Sequence, residues 1–279
     1  MIYVVGALLL KRSANLGVGV WRTAFISNLV AALVFQPLLL LGGNWQPLAD
    51  YWQPALVGLL FLAGQLLTIL SLSKGDVSVA TPVLGLKIIL VAIFVTVVLG
   101  QPPRGTLWLA AGLSTAAIAL LNFSQGARHH HVGVTVLSAG GAAASFALFD
   151  VLVQKWGPAW GPGRFLPVML WFVALYAFAF VPMFSHPLRE IPRAAWPWLL
   201  GGGGFVALQS VLFVWYLARH GNATAANVVY SSRGLWSVAA VWLVGHWFHN
   251  LERDQGGSVM RWRLAGAVLM MAAIALVLL

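Results

Sequence analysis

The chain has 279 residues, of which 61% are hydrophobic and 8% charged; its mean hydropathy is +0.89, and an ordinary soluble domain carries about 25% charged residues. These values identify an integral membrane protein. A formal charge of +10 does not signal nucleic acid, since the 16 Lys and Arg are dispersed along the chain, most of them in interhelical loops, and the absence of cysteine excludes disulfides, thiolate metal sites and cysteine catalysis.

Single apolar runs approach the roughly 20 residues needed to cross hydrocarbon, and no alternating strand pattern of an outer-membrane barrel occurs. The expected fold is therefore an all-α bundle. Gaps in hydrophobicity divide it into about ten spans: 1–10, 18–41, 54–73, 77–99, 106–123, 133–153, 165–184, 196–217, 223–247 and 262–279. The first is short for a full crossing, so it starts inside the bilayer or continues upstream of the given start. With no basic stretch before it and no small-residue cleavage site after it, it reads as a helix and not as a cleaved signal. The loops carry the breakers Gly42-Gly43-Asn44, Gln101-Pro102-Pro103, Gly157-Pro158 with Gly161-Pro162-Gly163, and Asn250 to Ser258.

Lys87 lies near the middle of the fourth span and Arg233 near the middle of the ninth. A mid-membrane Lys or Arg costs on the order of 2.5–3.5 kcal/mol on insertion scales. The two positions are related by an offset of 146, which also aligns Lys74-Gly75-Asp76 with His220-Gly221-Asn222. Gly100 and Gly245 follow at 145, and Pro54 and Gln65 lie near Pro197 and Gln209 at offsets of 143 and 144. Five spans per half, an odd number, set the copies in opposite orientations, the inverted-repeat plan of many secondary transporters with substrate near the midplane.

The segment Ser71 to Gln101, with small residues, Val-Ala-Thr-Pro, an apolar helix and Leu-Gly-Gln, resembles the fourth helix of EamA-type carriers in the drug/metabolite transporter superfamily. Asn222 to Trp247 resembles the ninth, and Lys11 with Arg22 looks like the family's first hairpin. The resemblance implies ten helices, alternating-access transport and EamA-like repeats over 1–125 and 132–279. Where the family often ends these helices with Leu-Gly-Glu, this chain has Leu-Gly-Gln101 and Val-Gly-His246. In chemistry it is similar to the plastid phosphate translocators of the same superfamily, which use Lys and Arg on these helices for anionic substrates.

Lys87 and Arg233 are thus expected to clamp a phosphate, carboxylate or sulfonate, through a compact ammonium and a planar guanidinium fork. The alternative is that one of them pairs permanently with Asp150. Asp150 could couple transport to a proton gradient by exchanging partners, or stand as a helix-end carboxylate in water. Asn227, Tyr230 and Arg233 recur at threes and form a polar stripe on one helix face, for substrate or for interhelical bonding. Gln65 and Gln209 are repeat-related candidates of the same kind, and Pro82 with Gly85 form a hinge or a packing kink.

The tryptophans read as interfacial anchors and packing. Arg128-His129-His130-His131 lacks acidic or cysteine partners, so no metal is expected. Gly201 to Gly204 is not a phosphate loop. No nucleophile, base and oxyanion set can be assembled, so no enzyme activity and no cofactor are expected.

The reading is a multi-pass transporter of the cell (inner) membrane, with a small, anionic organic solute and membrane lipids as partners and no nucleic acid. Its rivals are an exporter of neutral or amphipathic metabolites with structural Lys and Arg, and a lipid-binding scaffold. Loops after odd-numbered spans, counted with Arg263 at the edge of the tenth span, hold nine basic residues and those after even spans four, which by the positive-inside rule puts the termini outside; the resemblance implies termini inside, and that orientation is retained. Reporters fused to both ends are expected to show cytoplasmic activity, and periplasmic activity at both would reverse it.

Overall fold

The computed structural model describes residues 2–73, 77–121, 132–232 and 257–278. Arg233, Lys74-Gly75-Asp76, Asn122, Arg128 to His131, Trp236, Trp242, His246 and Asn250 lie outside the described residues. Among those described, the regular structure is entirely helical.

In chain order the helices are α1 (Ile2–Asn15), α2 (Val20–Val34), α3 (Trp52–Ser73), α4 (Val77–Gly85), α5 (Lys87–Leu99), α6 (Gly105–Leu121), α7 (Val132–Trp160), α8 (Pro162–Ala177), α9 (Trp196–His220), α10 (Ala223–Ser231) and α11 (Gly257–Leu278). Short 3-10 segments extend α2 at Gln36–Leu41 and α8 at Phe178–Met183. Among the described residues, six stretches are long and apolar enough to cross a membrane: Val20–Leu41, Leu48–Ser73, Val79–Leu99, Val132–Trp160, Pro162–Met183 and Arg193–His220. Gly105–Leu121 and Leu264–Val277 are shorter apolar helices.

The chain divides into two compact units, residues 1–62 with 152–221 and residues 63–151 with 222–279. Each unit draws on both halves of the sequence. A repeat in sequence and a compact unit in space are therefore different divisions of this chain.

In the first unit, α1 and α2 pack on α9, and α2 packs on α8. Lipid offers no hydrophobic drive for helix association, so small residues that admit close backbone approach carry it. A Cβ on Gly202 of α9 would stand 2.8 Å from Leu10 Cγ and 2.9 Å from the Leu10 nitrogen. One on Gly6 of α1 would meet Val206 Cγ2 at 2.8 Å and the Gly202 carbonyl at 3.0 Å. The glycine run in α9 thus includes a helix-packing seam.

The sequence places a loop at Gly157-Pro158, and the structure corrects this: α7 continues to Trp160 with Pro158 inside it. A proline in the last turn sacrifices a single ladder bond, and the orphan carbonyls beyond it are answered. Asn44 N–H donates to the Trp160 carbonyl at 2.8 Å, and Gln46 Nε2 to that of Ala159 at 2.8 Å. Trp160 is fully buried, its Nε1–H donating to Gln53 Oε1 at 3.1 Å and its ring edge-on to Tyr51. This tryptophan is a core residue and not an interfacial anchor.

In the second unit, α6 packs along α11, with α4, α5 and α10 also against α6. Ala110, Ala111, Ala117, Val228, Ile88 and Ala273 form its buried centre. A Cβ on Gly266 would lie 2.9 Å from the Ala117 carbonyl, so α6 and α11 meet nearly backbone to backbone.

Gly202→Ala is expected to lower stability in detergent by about 1–3 kcal/mol through overpacking. Gly204, whose Cβ position has nothing within 4 Å, is expected to tolerate alanine or gain from its better helix propensity. Thermal unfolding of the two variants side by side checks both outcomes.

Candidate functional site

Three helices of the second unit bring their polar residues to one place. The first contribution comes from a break in the fourth span. Pro82 lies inside α4, which ends at Gly85, and α5 begins at Lys87. Leu86 between them donates its N–H in a tight bond to the Val83 carbonyl, 3.0 Å, while its own carbonyl accepts from Leu90 N–H at 3.0 Å. The Gly85 carbonyl is answered by Thr115 Oγ1 from α6 at 3.3 Å, the side-chain repair that lets a broken helix persist in lipid. Ile118 closes on Gly85, with Cγ2 2.8 Å from where a Cβ would be. The break makes Lys87 the first residue of α5.

Helix α7 supplies Phe146 and Asp150, four residues apart and so on one face. Asp150 is ten residues before the helix end and 1% exposed, which overturns the expectation of a helix-end carboxylate in water. Helix α10 supplies Asn227 and Tyr230, three apart. Asn222 opens α10 from a left-handed conformation, φ 55, its side-chain oxygen accepting from the Ala225 nitrogen.

Lys87 Nζ lies 2.7 Å from Asp150 Oδ2, the lysine side chain 21% and the aspartate 1% exposed. Asn227 Nδ2 donates to the same Oδ2 at 2.7 Å and to the Ala223 carbonyl at 2.9 Å. The amide nitrogen therefore has both hydrogens assigned. The Phe146 and Tyr230 rings flank the ammonium at 5.9 and 6.0 Å from their centroids, within cation–π range.

The cluster is formally neutral, and the acid is the sealed partner. Lys87, Asp150, Asn227 and Tyr230 are thus brought together. Gln65 is half-buried on α3 in the same unit, whereas Gln209 is half-buried on α9 in the first unit. Arg233 lies outside the described residues. Phe146 was not foreseen; its spacing of four before Asp150 is the signal that could have found it.

Among the described residues, six helical stretches long and apolar enough to cross a membrane define the class: a multi-pass membrane protein. Residues 1–123 match the EamA-like transporter family, which belongs to the drug/metabolite transporter superfamily, and the match points to a membrane transporter of small molecules. No curated protein matches the chain. A protein known from a crystal structure shares the fold with a TM-score of 0.73 at 15% identity, covering 99% of this chain and 94% of that one.

Removing one member of a buried ion pair costs about 3–5 kcal/mol because it strands the other, whereas replacing both with apolar residues of similar volume is often neutral. Lys87→Met is expected to destabilise the protein in this range, and Lys87→Met with Asp150→Leu to recover most of the loss. Chemical unfolding of both variants in detergent reads the difference.

Proposed function

We propose that this protein is a secondary transporter of the inner membrane that carries a small organic solute with an anionic group by alternating access, without covalent chemistry. The observation that carries this reading is the asymmetry of the Lys87–Asp150 pair, in which the cation is the accessible member and the acid the sealed one. A solute phosphate, carboxylate or sulfonate meets the ammonium first and competes with Asp150 for it.

Once Lys87 turns to the solute, Asp150 retains the Asn227 amide alone. A buried carboxylate without its cation costs several kcal/mol, and taking up a proton removes that cost while the Asn227 bond remains. Anion and proton then travel together. Arg233, at the repeat-related position, is proposed as the second cation of the clamp, with Tyr230 flanking the solute and Gln65, in the same unit, as a polar contact. Pro82 and Gly85 are proposed as the hinge.

The family match over residues 1–123 supports transport. The sequence offset of 146 that relates Lys87 to Arg233 supports alternating access, and we read it as a ten-span inverted repeat over 1–125 and 132–279, a plan on which secondary transporters are commonly built.

Uptake of labelled organic anions into proteoliposomes under an imposed pH gradient tests the reading. Wild type is expected to accumulate an anion in response to the gradient. Asp150→Asn is expected to lose that response while still equilibrating the solute, and Lys87→Gln to reduce uptake about tenfold or more, the equivalent of one ionic contact. An unchanged gradient response in Asp150→Asn would sink the coupling, and full uptake by Lys87→Gln would sink the clamp.

A further inference from the structure

In the described residues, only Arg22 and Asp150 are charged side chains in the buried class. Asp150 has its cation. Arg22, in the first unit, has no carboxylate partner among the described residues. It is 3% exposed, its Nη2 donates to the Gly17 carbonyl at 2.9 Å, and its Nε is buried with no hydrogen-bond partner. A guanidinium offers five N–H donors, and a single carbonyl answers little of that capacity or of the charge.

Its position compounds the imbalance. Arg22 is the third residue of α2, and a long helical side chain folds back toward the helix start. The guanidinium accordingly lies against Gly19, 3.9 and 4.0 Å from where a Cβ on that residue would stand. Gly19 is the N-cap of α2 and provides no side-chain cap, so the first-turn N–H groups of Val20, Trp21 and Arg22 point into the same region. The positive end of a helix and a buried cation repel each other, and the arrangement is stable when an anion sits between them. Ser185 Oγ, 3.3 Å from the same Cβ position, adds a hydroxyl, and Val20 and Ser185 are exposed, leaving a way in. Lys11 and, in the last turn, Arg12 are exposed on α1, which the same short connection joins to α2.

We propose that Arg22, the uncapped start of α2 and Ser185 form a binding site for a phosphate-type oxyanion, separate from the Lys87 cluster. Such a group is supplied either by an anionic phospholipid headgroup or by free phosphate. The guanidinium fork takes two oxygens and the helix N–H groups take the third.

Thermal unfolding of the full-length protein in neutral detergent tests the site. The probes are inorganic phosphate, soluble short-chain phosphatidylglycerol and short-chain phosphatidylcholine, against potassium chloride of equal ionic strength. A bound anion raises the midpoint by mass action, by about 2–4 °C for a contribution of this kind. The response is expected to vanish in Arg22→Gln and to persist in Lys87→Ala. Gly19→Ala keeps Arg22 and a permitted backbone, φ -64, but places a methyl in the cradle, so it is expected to weaken the response even if Arg22→Gln folds poorly. A response to phosphatidylglycerol alone supports the site with a lipid as the source, and one to inorganic phosphate supports it with the free anion. No response to either, a response that survives both first-unit substitutions, or one lost in Lys87→Ala alone would overturn the proposal.

Discussion

Charge held away from water must be answered by a partner, and in this chain one answer organises a whole region. The carboxylate of Asp150, 1% exposed, draws α5 through Lys87 and α10 through Asn227 toward α7. These residues come from three distant stretches of sequence. A lysine as the first residue of α5 is also at the wrong end of that helix's dipole. The nearby carboxylate offsets both that repulsion and the cost of burying the ammonium. Because each partner stabilises the other's charge, an exchange of partners has large consequences. This coupling makes the pair suited to a transport cycle as well as to a rigid core.

The surrounding helices solve a different problem. Inside a bilayer apolar side chains gain little by leaving lipid for one another, so close contact must come from shape. Gly6 against α9, Gly202 against Leu10 and Gly266 against Ala117 let backbones approach where a single methyl would collide. Such seams fix helix neighbours without polar groups, which leaves the few buried polar groups free for function.

Composition alone makes the helical membrane class legible, and the offset of 146 singles out Lys87 in the sequence. Asp150 was visible as an acid within a span, but its depth was not. Hydropathy falls at Gln154-Lys155 and the breakers Gly157-Pro158 follow, so by sequence the span ends just past the acid; contacts from Asn44 and Gln46 allow the helix to continue. The break at Leu86 was legible in Pro82 and Gly85. The burial of Arg22 was not, since a cation at the edge of an apolar run reads the same whether it faces headgroups or folds back on Gly17. The division into compact units was also hidden, because it cuts through α3 and α7 and combines stretches from both halves.

The account's central claim is that an anionic solute takes Lys87 from Asp150. Thermal stabilisation of the purified protein against a panel of phosphorylated, carboxylated, neutral and cationic metabolites, with Lys87→Gln beside its parent, tests it most directly. With Arg22→Gln as the shared background to silence the first-unit site, the account predicts midpoint shifts confined to anions and absent once Lys87→Gln is added. Shifts from neutral or cationic compounds that survive the substitution would contradict it and make the pair a structural element of a different carrier.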